Sequence, residues 1–319
     1  MRPPAAGLAA LVAAVLLVVL LVAGCGSSED HTPTSKPDSG PREPLQAANG
    51  PVAASPATSP LTLALAGTVD PVQIQFGKPP RAGLLFDLDT GQVLWRKDPT
   101  RVLPIASVTK MMTALVVADK IPPGSKVKVT KEALAYQGSG VGVLPKGKWV
   151  GVSAMLYGLL LPSGNDAAIA LAQRAAGTVN AFVDEMNARA SAMGLACTHY
   201  STPSGFTDRG NHSCAADLAV EARAVLDSKR IARIVRVPHA VLPFPIKGGK
   251  LYLSSHNPLI LRHYPGTIGI KTGFTDAAGE CFVGAVERNG HRLGVVLLHS
   301  PDPGGQAVKL MDRGFSALS

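Results

Sequence analysis

Aromatic residues make up only 5% of the 319-residue chain, and just two of them are tryptophan. Stacking platforms for bases are therefore scarce. The formal net charge is +9, but Lys and Arg are spread along the chain without a basic block, which argues against nucleic-acid binding. Such a charge, with a pI near 9.5, instead suits a protein working beside anionic lipid or an anionic polymer. The eight histidines are dispersed, no His-Glu-x-x-His occurs, and the four cysteines lack zinc-ligand spacing, so neither a metal nor a cofactor is expected. No internal repeat is present. Hydrophobic residues at 46% are ample for a real core.

Residues Ala5 to Gly24 are apolar and without charge, preceded by Arg2, the layout of an export signal or a membrane anchor. It ends in Val22-Ala23-Gly24-Cys25, which resembles a bacterial lipobox, with cleavage after residue 24 and a diacylglycerol on Cys25. An uncleaved transmembrane helix is the alternative, since about twenty apolar residues can span a bilayer. Either way the remainder is expected at the extracytoplasmic face of the membrane. Residues 25–75 are rich in Pro, Ser, Ala, Thr and Gly, so they read as a disordered tether. The folded domain is expected over 76–319.

Export permits a disulfide. Cys197 and Cys214 bracket a loop-like stretch and are expected to be bridged, which would stabilise by about 3 kcal/mol in the chain-entropy model. Cys281 lies in the strand-like CFVGAV and is expected to be a buried thiol outside the bridge.

From residue 81 two strand-like runs surround Asp89-Thr90-Gly91 as a hairpin. An opening helix over roughly Ser107 to Asp119 is apolar nearly all round, so it should be buried on every side. Helical patterns dominate from about 130 to 230, strands return as TIGIKTGFT, ECFVGAVERNG and HRLGVVLLHS, and a last helix fits Gly304 to Leu318. The pattern predicts an antiparallel sheet built from both chain ends with a helical lobe inserted between.

Three short motifs carry chemistry. At the helix start, Ser107 and Lys110 share one face, and a neutral lysine is a competent base for a serine hydroxyl once burial lowers its pKa. The same spacing at Ser125 and Lys128 falls in an alternating, strand-like KVKVT, where the two positions face apart. The second motif, Ser163-Gly164-Asn165, follows Pro162, with Asn165 or Asp166 expected to cap the next helix. A rival Ser255-His256-Asn257 has no helix pair around it. The third, Lys271-Thr272-Gly273, lies on a strand, where glycine permits close approach of a ligand.

In this order and on these elements the three motifs are highly specific together, and the chain resembles the penicillin-recognising serine enzymes. It looks most like the low-molecular-mass D-alanyl-D-alanine carboxypeptidases, over about Ala82 to Ser300. The resemblance implies an α/β architecture of the α+β type, β-lactamase/transpeptidase-like, with an antiparallel five-stranded sheet flanked by helices and an inserted all-helical lobe. It makes Ser107 the acylated nucleophile, Lys110 its base and Ser163 the proton relay. Asn165 would hold a substrate amide, Lys271 and Thr272 the terminal carboxylate, and Gly273 would let the peptide lie along the strand. The backbone N–H groups of Ser107 and Phe274 would form the oxyanion hole, where one donor is typically worth about 3 to 4 kcal/mol. The implied partners are peptidoglycan stem peptides and β-lactams, met by a monomer. A class A β-lactamase would need a glutamate after the middle motif to activate water, usually as Glu-x-x-Leu-Asn. No such match exists, and Glu185 and Glu221 fall in helical patterns. A wall-binding protein on a dead scaffold would have lost a catalytic group, and none is missing.

Overall fold

The computed structural model describes residues 61–66, 69–206 and 210–318. The expected signal over 1–24, Cys25 and the tether as far as residue 60 lie outside the described residues. Strand β1 (Ala82–Asp87) and strand β2 (Val93–Lys97) form the first hairpin. Asp87 Oδ1 shapes its turn by accepting from the N–H groups of Asp89 (2.9 Å) and Thr90 (2.7 Å).

The short strand β3 (Leu103–Pro104) leads through a 3-10 turn, Ala106–Thr109, into helix α1 (Lys110–Lys120). Next come β4 (Lys126–Lys128), α2 (Lys131–Leu134) and β5 (Trp149–Gly151). Helices α3 (Val152–Leu160), α4 (Asn165–Ala176) and α5 (Val179–Ala192) follow. Strand β6 (His212–Ser213) precedes α6 (Ala215–Asp227) and α7 (Lys229–Val235). A hairpin of β7 (His239–Pro243) and β8 (Lys250–Ser254) and a short helix α8 (Pro258–Leu261) lead back to the sheet. Strands β9 (Thr267–Thr275), β10 (Gly279–Arg288) and β11 (His291–Ser300) precede helix α9 (Pro303–Ala317).

The main sheet has five antiparallel strands in the order β2-β1-β11-β10-β9. Its N-terminal hairpin thus joins its C-terminal meander. Asn289 and Gly290 both have positive φ, 49° and 80°, as a tight two-residue hairpin requires. Both faces of the sheet are covered. The helical lobe packs on one, and α9 covers the other through Leu310 and Met311 against Leu85, Val295 and Leu297. All six β1 residues are therefore buried, which explains their unalternating apolar run. Helix α1 lies among α3, α4, α5, α6 and α7, so its all-round apolarity has neighbours on every side.

Residues 61–66 and 69–75 correct the expected tether boundary. Leu61, Leu63 and Leu65 pack on the core and Val72 is buried. Asp70 holds the Arg96 guanidinium at 2.7 Å, and Arg96 Nη1 donates to Leu65 O at 2.6 Å. Composition concealed this because the segment lacks aromatics, but the alternation in Leu61-Thr62-Leu63-Ala64-Leu65 is a strand-like signal. Among the described residues no helix is long and apolar enough to cross a membrane.

Beneath α1, Tyr200 and Glu221 are wholly buried, and Tyr200 Oη donates to Glu221 Oε2 at 2.9 Å. Burial pushes the Glu221 carboxyl from its ordinary 4.5 up to about 8. Between those values the fold keeps a proton that the unfolded chain releases, so Glu221 makes stability fall as pH rises through that window. Glu221→Gln, which can still accept from Tyr200, should flatten this slope and be the more stable form above pH 8. Chemical denaturation at several pH values checks it; parallel curves for the two proteins would refute it.

Candidate active site

The 3-10 winding places Ser107 almost directly over Lys110, since positions i and i+3 eclipse in that geometry. The expected α-helical start at Ser107 is therefore corrected: the α-helix begins at Lys110. Ala106 enters the turn with φ of 47°, a conformation non-glycine residues adopt at a cost that surrounding structure must hold in place.

Lys110 has no exposed surface. Its Nζ lies 2.8 Å from Ser107 Oγ, 2.6 Å from Asn165 Oδ1 and 2.7 Å from Ser204 O. As an ammonium it donates to all three. As a neutral amine it has two N–H bonds and one lone pair. Ser204 O can only accept, and Asn165 is fixed with its oxygen toward the lysine because Nδ2 donates to Gln137 O at 2.6 Å. Those two acceptors take both N–H bonds, so the lone pair falls to the Ser107 hydroxyl. Burial, and then the charge of Lys271, hold the Lys110 pKa well below the ordinary lysine value, with Asp166 opposing.

The α3–α4 loop supplies the second motif. Ser163 stands at its tip with φ of 64°, and Asn165 opens α4. Neither Asn165 nor Asp166 caps α4 as expected: the cap is Gly164, with no side-chain hydrogen bond. The buried Asp166 carboxylate is claimed instead by the backbone N–H groups of Val141 (2.9 Å), Gly142 (3.1 Å) and Ala167 (2.8 Å). It pins the loop that carries Ser139 into the cleft.

Strand β9 supplies the third motif. Lys271 is 1% exposed and its Nζ donates to Ser163 Oγ (3.0 Å) and Thr272 O (2.7 Å). Burial lowers its pKa from 10.5 to about 7. A Cβ at Gly273 would meet Ile105 O and Ser107 N at 2.9 Å, so only glycine lets this strand lie against the Ser107 backbone. Phe274, next in line, is exposed.

Cys197 and Cys214 are joined by a disulfide, with Cα atoms 5.6 Å apart, and Cys281 is buried with Sγ 3.7 Å from Pro104 O. The bridge closes the loop that delivers Ser204. Inside it, buried Asn211 accepts from Ser201 N (3.1 Å) and donates to Thr202 Oγ1 (2.8 Å), which accepts from Gly205 N (3.0 Å). Gly205, at φ of 72°, leaves room for Ala106 O, which a Cβ would meet at 2.0 Å.

Two cavities border Ser107. One of about 370 Å³ is lined by Ser163, Thr272, Phe274, His256 and Glu280. The other, about 350 Å³, is lined by Asn165, Phe206, Phe274 and Asp276. Ser107, Lys110, Ser163, Asn165, Lys271, Thr272, Gly273 and Phe274 thus converge, while Cys197 and Cys214 act from the loop behind. Ser204, His256 and Glu280 carried no sequence signal. Ser204 acts through its carbonyl, His256 sits in the rival Ser-x-Asn, and Glu280 follows the last motif. His256 is held below its ordinary pKa by burial and by Lys271.

A family model described as D-alanyl-D-alanine carboxypeptidase matches residues 79–302. The chain belongs to the D-alanyl-D-alanine carboxypeptidase family. It is 38% identical over 246 residues to a Mycobacterium tuberculosis D-alanyl-D-alanine carboxypeptidase, DacB2, covering 75% of this chain and 83% of that protein. A crystal structure of a D-alanyl-D-alanine carboxypeptidase from M. tuberculosis H37Rv superposes with a TM-score of 0.72 at 36% identity, covering 78% of this chain and 96% of that one. The Streptomyces K15 DD-transpeptidase gives 0.71 at 30%, covering 76% and 100%. The β-lactamase-like fold expected from the sequence is the fold of these D-alanyl-D-alanine peptidases. The glutamates weighed for a β-lactamase lie elsewhere: Glu185 pairs with Lys120 on the surface and Glu221 is buried under Tyr200.

Lys110→Arg keeps the charge but cannot surrender a proton. Acylation by benzylpenicillin, followed by intact-mass spectrometry, should fall by roughly 10² to 10⁴; adduct formation at the wild-type rate would remove Lys110 from the base role.

Proposed function

We propose that this D-alanyl-D-alanine carboxypeptidase releases the terminal D-alanine of peptidoglycan stem peptides through an acyl-enzyme on Ser107. The reading is carried by one observation: Lys110 Nζ is held between two obligate acceptors with its lone pair left for Ser107 Oγ. Ser107 Oγ attacks the carbonyl carbon of the penultimate D-alanine and Lys110 takes the hydroxyl proton. The oxyanion forms against the N–H groups of Ser107 and Phe274. The proton passes through Ser163 to the leaving amine, the C–N bond breaks, and water then hydrolyses the ester. Lys271 and Thr272 receive the terminal carboxylate, and Asn165, besides orienting Lys110, borders the second cavity where a substrate amide fits. A β-lactam would acylate the same oxygen. One chain holds every group used, which supports a monomer.

For attachment we propose a leader over 1–24 and a lipid on Cys25, placing the enzyme on the outer face of the membrane. Arg2, the uncharged run and Val22-Ala23-Gly24-Cys25 support this.

D-Alanine release from an acylated tripeptide should vanish in Ser107→Ala. The wild type should carry a long-lived penicillin adduct; rapid turnover without adduct would favour a β-lactamase, with Glu280 the carboxylate in the cleft to test. In the free enzyme Lys271, with its pKa near 7, is cationic below that value and loses its charge above it. The kcat/KM for a carboxylate-bearing substrate should therefore fall as pH rises through about 7, and Lys271→Arg should shift that limb to higher pH. A limb unchanged in this variant would deny Lys271 the carboxylate.

A further inference from the structure

The basic residues that looked scattered in the sequence gather at one place. Residues 121–150 contain five lysines, Lys126, Lys128, Lys131, Lys146 and Lys148, and a single acid, Glu132. All five lysines are exposed. Strands β4 and β5 form a two-stranded ribbon in which Lys128 stands opposite Trp149 and Val127 opposite Val150. The valines point into the core, so Lys126, Lys128 and Trp149 share the outer face. The connecting turn folds back on the ribbon, Val129 N donating to Lys148 O and Gly147 N to Val129 O, both at 2.9 Å. Lys146 and Lys148 are thereby brought beside the same ribbon. Glu132 is engaged by the Gln173 amide, and no ion pair among the described residues involves any of the five lysines.

Trp149 stands 55% exposed among these cations and Val143 is 49% exposed on the loop leading in. An indole in water beside unneutralised ammonium groups gains from neither burial nor pairing. At a lipid headgroup layer it gains from both: the ring sits at the interface, the lysine stems lie along apolar surface, and the ammonium groups meet phosphates.

We propose that the β4–β5 ribbon docks the folded domain on an anionic phospholipid surface. Charge complementarity would also admit an anionic polymer, but a polymer of phosphates offers Trp149 and Val143 no apolar depth. A lipid surface is therefore the occupant these side chains fit. The patch stands on its own geometry; its setting rests on the proposed attachment through Cys25, whose diacylglycerol would keep the folded domain close to the same lipid surface.

The chain has only two tryptophans, and Trp95 is 7% exposed with Phe76 edge-on at 6.1 Å, so Trp149 reports on the patch. The full chain is mixed with phosphatidylcholine vesicles, with or without phosphatidylglycerol, some carrying brominated acyl chains. With phosphatidylglycerol, Trp149 fluorescence should shift to the blue and be quenched by bromine, and high salt should reverse both. Replacing Lys126, Lys128, Lys146 and Lys148 by Gln should weaken this response roughly a hundredfold or more in lipid concentration. Trp149→Phe should abolish the signal. Both variants should release D-alanine from a soluble substrate at the wild-type rate, which shows that they are folded. A Trp149 response with no D-alanine release would sink the proposed activity and leave the docking standing. An equal response on phosphatidylcholine alone, no response on phosphatidylglycerol, or the same response to lipid-free glycerol phosphate polymer would each overturn the lipid assignment.

Discussion

One nitrogen atom organises this molecule. For the proposed reaction Lys110 Nζ must be neutral to accept a proton, aimed at Ser107, and prevented from turning its lone pair elsewhere. Burial among the lobe helices meets the first demand by disfavouring charge. The Asn165 oxygen and the Ser204 carbonyl meet the other two, because acceptors without hydrogen can be paired only by the amine's N–H bonds. Much of the surrounding structure holds those two oxygens still: Gln137 fixes the Asn165 amide, while Asn211 and the Cys197–Cys214 bridge hold the loop of Ser204.

The second lysine has a complementary task. Lys271 is as buried as Lys110, but among the described residues only Ser163 Oγ and the Thr272 carbonyl accept from it, and Ser163 and Thr272 both line a cleft open to solvent. Two ammonium groups so close disfavour each other. In the proposed reaction the charge therefore sits on Lys271, which an incoming carboxylate would neutralise, and Lys110 is left as the base. Backbone strain at Ala106 and Ser163 falls on residues that present these groups, where local cost is held in place by the packed turn and loop around it.

Much of this was legible from the residues. The second and third motifs fell on the interhelical loop and the strand expected of them, the sheet formed from both chain ends, and Lys128 of the rival serine-lysine pair lies on a strand that begins just after Ser125. What escaped reading acts through backbone or tertiary position. Ser204 contributes a carbonyl that any residue possesses. Asp166 looked like a helix cap because its partners, the N–H groups of Val141 and Gly142, are distant in sequence. The 61–75 segment looked like linker because composition averages hide three leucines on one face. The lysines of the β4–β5 ribbon looked dispersed because a two-stranded fold brings together positions some twenty residues apart.

The order of strands in the sheet has a consequence for synthesis. The turn that carries Ser107 emerges early, but the strand it rests on, β9, is held by β10, which is held by β11, which closes on β1. Helix α9 then seals the outer face. Pairings this remote in sequence form late. A chain still being made therefore carries Ser107 and Lys110 without the strand that completes their site, and hydrolytic competence waits until β11 has been added and has closed on β1.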